Sequence, residues 1–273
     1  MKQPRIYAWR IIWFLAAAVL LSSAPLYALE YKHTAGLTLN YQLSVETPTP
    51  QNSQTVNFDL ARFTDNVNGS GVMEIHSIIS NGTMTLDGIT TPLTISGDVM
   101  TTMMQPNGLV DSTTATGSLG TIFGQAGVGT ASSSPDIMRS LGILEFPPAA
   151  VTVGATWSVD KNHTFANGDS LQISYNYTFD SVVSYAGYQC AKILISAQPT
   201  FSFFQDFPDL LYGMQVNGEL LVSGELLFAE TEGRVVKLDE TITANQIGIT
   251  VGYDGMAQVI PSYRQTTISL EIQ

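Results

Sequence analysis

Cysteine is almost missing from this chain: Cys190 stands alone. One cysteine cannot close an intramolecular disulfide, so the core must hold without covalent staples. Cys190 falls within a strand-like run, Tyr188 to Ser196, and reads as a small buried hydrophobe rather than a nucleophile. Basic residues are scarce as well, with 11 Lys and Arg against 23 Asp and Glu. Phosphate binding needs clustered Lys and Arg, which argues against nucleic acid and anionic membrane surfaces as partners. Catalytic signatures are lacking too. There is no G-x-S-x-G elbow, no H-x-x-x-H and no C-x-x-C. The histidines, His33, His76 and His163, lie far apart, and none has a second histidine or a carboxylate at metal-ligand spacing. Among the many acids no pair stands out as a glycosidase would require. No cofactor, no metal ligand and no catalytic residue is expected.

The first 28 residues carry a different signal. Lys2, Arg5 and Arg10 precede an apolar run, Ile11 to Leu21, and small residues follow from Ser22 to Ala28. That order predicts a secretory signal peptide, because the apolar run is too short to cross a hydrocarbon layer about 30 Å thick. A cut after Ala24 would put Pro25 next to the scissile bond, so cleavage is expected between Ala28 and Leu29. Removing residues 1–28 leaves 8 basic and 23 acidic residues, a balance of about −15. No transmembrane segment is expected after that removal, and the location is read as periplasmic or extracellular.

Alternation of apolar and polar residues dominates the remainder. Leu37, Leu39, Tyr41, Leu43 and Val45 interleave with polar residues, as do Leu171, Ile173, Tyr175, Tyr177 and Phe179. Ile247, Ile249, Val251 and Tyr253, then Thr266, Ile268, Leu270 and Ile272, follow the same rule. A period of two puts one face in the core and one in water, the mark of antiparallel sheets. The expected fold is all-β: large meander sheets forming a curved half-barrel or clam, or else a sandwich. Helical pattern is confined to two short candidates, Ser134 to Gly142 and Pro208 to Tyr212. Asn68-Gly69, Asn81-Gly82 and Asn107-Gly108 read as hairpin turns. Asp65 to Gly69 looks like the opening of a calcium loop, but its twelfth position is His76 instead of the bidentate Glu.

The chain also repeats itself. Phe63-Thr64-Asp65, Gly71 and Ile78-Ile79-Ser80 are matched by Phe179-Asp180-Ser181, Gly187 and Leu194-Ile195-Ser196. Ile95 to Val99, before Asn107-Gly108, is matched by Val222 to Leu226, before Glu232-Gly233. Two β-meander halves are therefore expected, residues 29–115 and 151–273, around a Gly/Ser/Thr-rich connector at 116–150. Within that connector Ile122 and Phe123 are expected to cover part of the apolar sheet face. Trp157 is read as a core anchor, with ligand stacking as its alternative role.

The segment Pro147-Pro148, then Val151-Thr152-Val153-Gly154-Ala155-Thr156-Trp157, followed by a hairpin from Gly224-Glu225 to Gly233-Arg234, resembles uncharacterised exported bacterial proteins built from two β-meander halves. The architecture is also similar to the LolA/LolB-type envelope carriers, although this chain is longer and lacks their helical plugs. The first resemblance implies fold and export without an activity. The second implies an acyl ligand on a concave apolar face, and places no ligand residue here. The combined expectation is an exported, non-enzymatic envelope protein that binds a hydrophobic ligand or an envelope partner. The alternatives are an all-β enzyme acting on glycans, a structural or adhesive module, and an outer-membrane barrel.

Overall fold

A computed structural model describes residues 25–48, 53–93, 99–115, 141–164, 170–207, 212–251 and 257–273. The strands are β1 (Thr38–Pro48), β2 (Ser53–Val67), β3 (Met73–Leu86), β4 (Ile89–Pro92), β5 (Val99–Met104), β6 (Val110–Ala115), β7 (Thr156–Thr164), β8 (Ser170–Tyr185), β9 (Tyr188–Ala197), β10 (Thr200–Phe207), β11 (Tyr212–Ala229), β12 (Arg234–Val251) and β13 (Ala257–Ile272). They form one antiparallel sheet in the order β6-β5-β3-β2-β1-β13-β12-β11-β9-β8-β7, with β4 beside β3 and β10 beside β11. The sheet is open, ending on β6 and β7, so the expected sandwich gives way to a single layer. An outer-membrane barrel needs closure, which the described strands do not make.

Period two is visible residue by residue. Leu39, Tyr41, Leu43 and Val45 of β1 are buried, and so are Ile173, Tyr175, Tyr177 and Phe179 of β8. One continuous core unites residues from β2 to β5 on one side with residues of β7 to β9 on the other. A flat sheet could not bring them together, so the layer curves around its own apolar face. Each fully buried aromatic or aliphatic side chain contributes about 1.5–3 kcal/mol.

The two halves share a layout. β1-β2-β3-β5-β6 and β7-β8-β9-β11-β12 have the same neighbour order, and each sets one strand, β4 or β10, off the path. A register shift interrupts the second hairpin of each half, between Thr64 and Asn66 in β2–β3 and between Phe179 and Ser181 in β8–β9. The halves meet where β1 pairs with β13.

The concave side is filled. Two non-strand segments, Leu29–His33 and Leu141–Phe146, run through it and are buried along most of their length. Tyr31 packs on Phe146 and Phe228 with ring centres 5.5 and 5.3 Å away, and Phe146 meets Phe228 at 4.7 Å. Tyr31 Oη donates to Gly142 O and accepts from Leu144 N. The final part of the connector is therefore core, while Ile122 and Phe123 lie outside the described residues.

Several details depart from the sequence reading. The candidate helix at Ser134 to Gly142 lies outside the described residues except for Leu141-Gly142, which form a turn; of Pro208 to Tyr212 only Tyr212 is described, opening β11. Asn81-Gly82 is a bulge inside β3, two residues facing Phe58 alone, with Asn81 at a φ of 52°. The positive φ that suits a hairpin suits a bulge equally. Regular pairing after the connector begins at Thr156, because Val151 forms an isolated bridge with Tyr27 and residues 152–155 turn.

The residues predicted to exit with the leader are partly integrated. Tyr27 exchanges two backbone hydrogen bonds with Val151, at 2.8 and 2.9 Å, and its ring meets Phe179 edge-on at 5.0 Å. Ala28 and Leu29, the expected cleavage pair, line a cleft of about 300 Å³ with Pro106, Asn107 and Pro147. Residues 1–24 lie outside the described residues.

Candidate functional site

Strands β11, β12 and β13 are 16 to 18 residues long, and they outrun the core. Together with β10 they project as a four-stranded platform. Strand register decides which side chains share its outer face, because residues directly opposite one another point the same way. Thr200, Glu219, Asn245 and Tyr263 form one row across the four strands. Ser202, Asn217, Ile247 and Pro261 form the next, and Phe204, Gln215, Ile249 and Val259 the third. Rows on one face lie about 6.6 Å apart. Over two such steps the surface changes from polar to apolar.

An open groove of about 640 Å³ follows the first two rows, lined by Thr200, Asn217, Glu219, Asn245, Ile247 and Tyr263 among others. Its polar groups are held in place by one another. Asn245 Nδ2 donates to Glu219 Oε1 at 3.3 Å, Ser202 Oγ to Asn217 Oδ1 at 2.7 Å, and Gln215 Nε2 to Ser202 Oγ at 2.9 Å. Tyr263 Oη donates to Gln265 Oε1 at 2.9 Å, which fixes the ring beside the groove. The apolar groups are wet: Phe204 is 57% exposed, Ile247 48%, Val259 62% and Tyr263 61%. Sequence alternation implied that Ile247 and Ile249 face the core. The structure turns them outward, because period two gives a strand two faces without saying which is inner.

Trp157 does not join this groove. It stacks on Tyr177 at 5.5 Å, touches Phe146, and donates its indole N–H to Glu145 O at 3.0 Å. That is the behaviour of the core anchor anticipated for it. Cys190 is fully buried, and burial pushes its thiol up to about 11, which leaves it a poor nucleophile.

Sequence reasoning missed two polar constellations. Arg62 is buried on the core face of β2 with its guanidinium 5.0 Å over the Tyr41 ring. Its Nε and Nη2 have no hydrogen-bond partner. Beside it, His33 Nδ1 lies 3.1 Å from Thr64 Oγ1, and burial with Arg62 and Arg234 nearby lowers the imidazole to about 4. The second constellation is Asp65, Glu74 and His76 on the outer face, whose potential ligand atoms all lie within 4.8 Å of one another. The signal for it was Glu74-x-His76: on a strand, residues two apart share a face, a spacing that the helix- and loop-based zinc patterns do not contain.

No family model matches the chain, and no curated protein matches it. The fold defines a class all the same: an all-β protein made of a single curved, open sheet with its interior occupied and its projecting end exposed.

Proposed function

We propose that this is an exported, non-enzymatic binding protein of the cell envelope, whose ligand is an elongated, uncharged amphiphile seated on the outer face of the β10–β13 platform. The observation that carries this reading is the graded surface. A row of hydroxyl, carboxylate, amide and phenol groups gives way, two rows along the strands, to Phe204, Ile249 and Val259. A hydroxyl-bearing head would exchange hydrogen bonds with Glu219, Asn217 and Asn245, and an alkyl chain would cover the exposed apolar residues. The charge balance of the chain and the Glu219 carboxylate oppose an anionic head. Among the described residues the concave side holds Tyr31, Leu144 and Phe146, so the acyl site implied by the carrier resemblance moves from inside the sheet to its outer surface.

Titration with alkyl glucosides below their micelle concentration, alongside native mass spectrometry of purified protein, tests the reading. Alkyl glucosides are expected to bind at one site, and fatty-acid anions of equal chain length more weakly. Ile249→Asp removes one apolar contact and places a charge under the tail, so affinity is expected to fall at least about 10-fold. Absence of both glucoside binding and co-purifying lipid would end the proposal.

A further inference from the structure

We propose that Asp65, Glu74 and His76 bind a divalent first-row transition ion on the outer face of the first half, on strands separate from the β10–β13 platform. His76 Nε2 lies 3.6 Å from Glu74 Oε1. Two donors each about 2.1 Å from one ion, at a near-tetrahedral angle, are separated by roughly 3.4 Å, so the pair needs almost no rearrangement. Asp65 completes the set by way of a backbone irregularity. Thr64 pairs with Ile75 and Asn66 with Glu74, so Asp65 is an extra residue on β2, and a bulge of this kind re-aims a side chain.

The imidazole is oriented from outside the cluster. Thr101 Oγ1, on the neighbouring β5, lies 3.1 Å from His76 Nδ1. With Nδ1–H donating to that hydroxyl, the lone pair sits on Nε2, toward the carboxylates. Metal-binding histidines are held by this kind of outer partner. Charge points the same way: among the described residues no lysine or arginine pairs with Asp65 or Glu74. Two carboxylates converge there without a protein cation.

The donor set selects the ion. An imidazole nitrogen with two carboxylates suits zinc or its first-row neighbours, whereas calcium prefers oxygen ligands throughout. His76 stands where a calcium loop carries its bidentate Glu, and that exchange removes the calcium preference. Asp65 is exposed and the other two are half-buried, so water can fill the remaining positions.

Isothermal titration of the full chain with zinc chloride, repeated with calcium chloride, provides the test. One zinc per chain is expected, undisturbed by equimolar calcium. His76→Gln and Glu74→Gln are each expected to weaken binding at least about 10-fold, with unchanged far-ultraviolet dichroism. Thr101→Val keeps all three donors but releases the ring, and is expected to cost roughly 10-fold. Shifts of the His76 ring nitrogens on zinc addition would locate the ion at Nε2. No binding at millimolar zinc, or zinc bound equally by His76→Gln, overturns the assignment.

Discussion

Replacing Gly108 by alanine is expected to lower the unfolding free energy by about 3 kcal/mol or more, one of the largest single-residue effects in this fold. Gly108 has a φ of 85°, where an L side chain is strained by roughly 1–2 kcal/mol. The added methyl would also stand 1.8 Å from Leu144 O and 2.9 Å from the Tyr31 ring. Both neighbours belong to the segments that fill the concave side. The turn carrying Gly108 clamps them further, since Phe146 N donates to Asn107 O at 2.7 Å and Tyr31 N to Pro106 O at 2.6 Å. Relief of the clash must therefore push the Tyr31–Phe146–Phe228 cluster apart. Gly88→Ala is the matched control: its φ is 76°, and nothing lies within 4 Å of the new methyl. Urea unfolding followed by Trp157 fluorescence should separate the two, with Gly88→Ala losing only the conformational part. Equal losses in the two variants would mean that the filling segments are not held by this contact.

How far the sequence led depends on what each feature rests on. Alternation is a local property, so the buried rows of β1 and β8 could be read directly from Leu39 to Val45 and from Ile173 to Phe179. Which face turns inward is not local. Ile247 and Ile249 form an alternating run, yet they fall on the opposite face of β12 from the buried Leu238, Glu240 and Thr250, and only the partners of β12 determine that. The filling of the concave side escaped for a similar reason. Tyr31 follows the predicted leader and Phe146 lies in the last part of the connector, and neither sits in a periodic run. Their burial arises from hydrogen bonds across more than a hundred residues, as between Tyr31 and Leu144. Asn81-Gly82 shows the limit of turn chemistry: the dipeptide specifies a positive φ, and a bulge uses that φ as readily as a hairpin. The Asp65, Glu74 and His76 cluster joins both cases. Glu74 and His76 were legible as a same-face pair on a strand, while Asp65 reaches them only through the register shift of β2.

Acidification should destabilise the protein through His33, and His33→Gln should remove that component. Burial is the main reason that the imidazole titrates near 4 in the folded chain, with Arg62 and Arg234 adding repulsion. In the unfolded chain an exposed histidine titrates near 6.5. Between these values the unfolded state binds a proton that the folded state refuses, so unfolding is favoured as the pH falls. The contribution is fully present above pH 6.5, declines by about 1.4 kcal/mol per pH unit below it, and amounts to about 3 kcal/mol lost by pH 4. Nothing nearby offsets it, because the groups acting on His33 are both arginines and the ring's hydrogen-bond partner is the neutral Thr64 hydroxyl. Gln is similar in length and can keep a hydrogen bond to Thr64 without titrating. Urea midpoints of the wild type and His33→Gln, measured from pH 7.5 to 4.5, should separate as the pH drops, the wild type falling away from the variant. Parallel curves would show that the imidazole is hydrated in the folded protein.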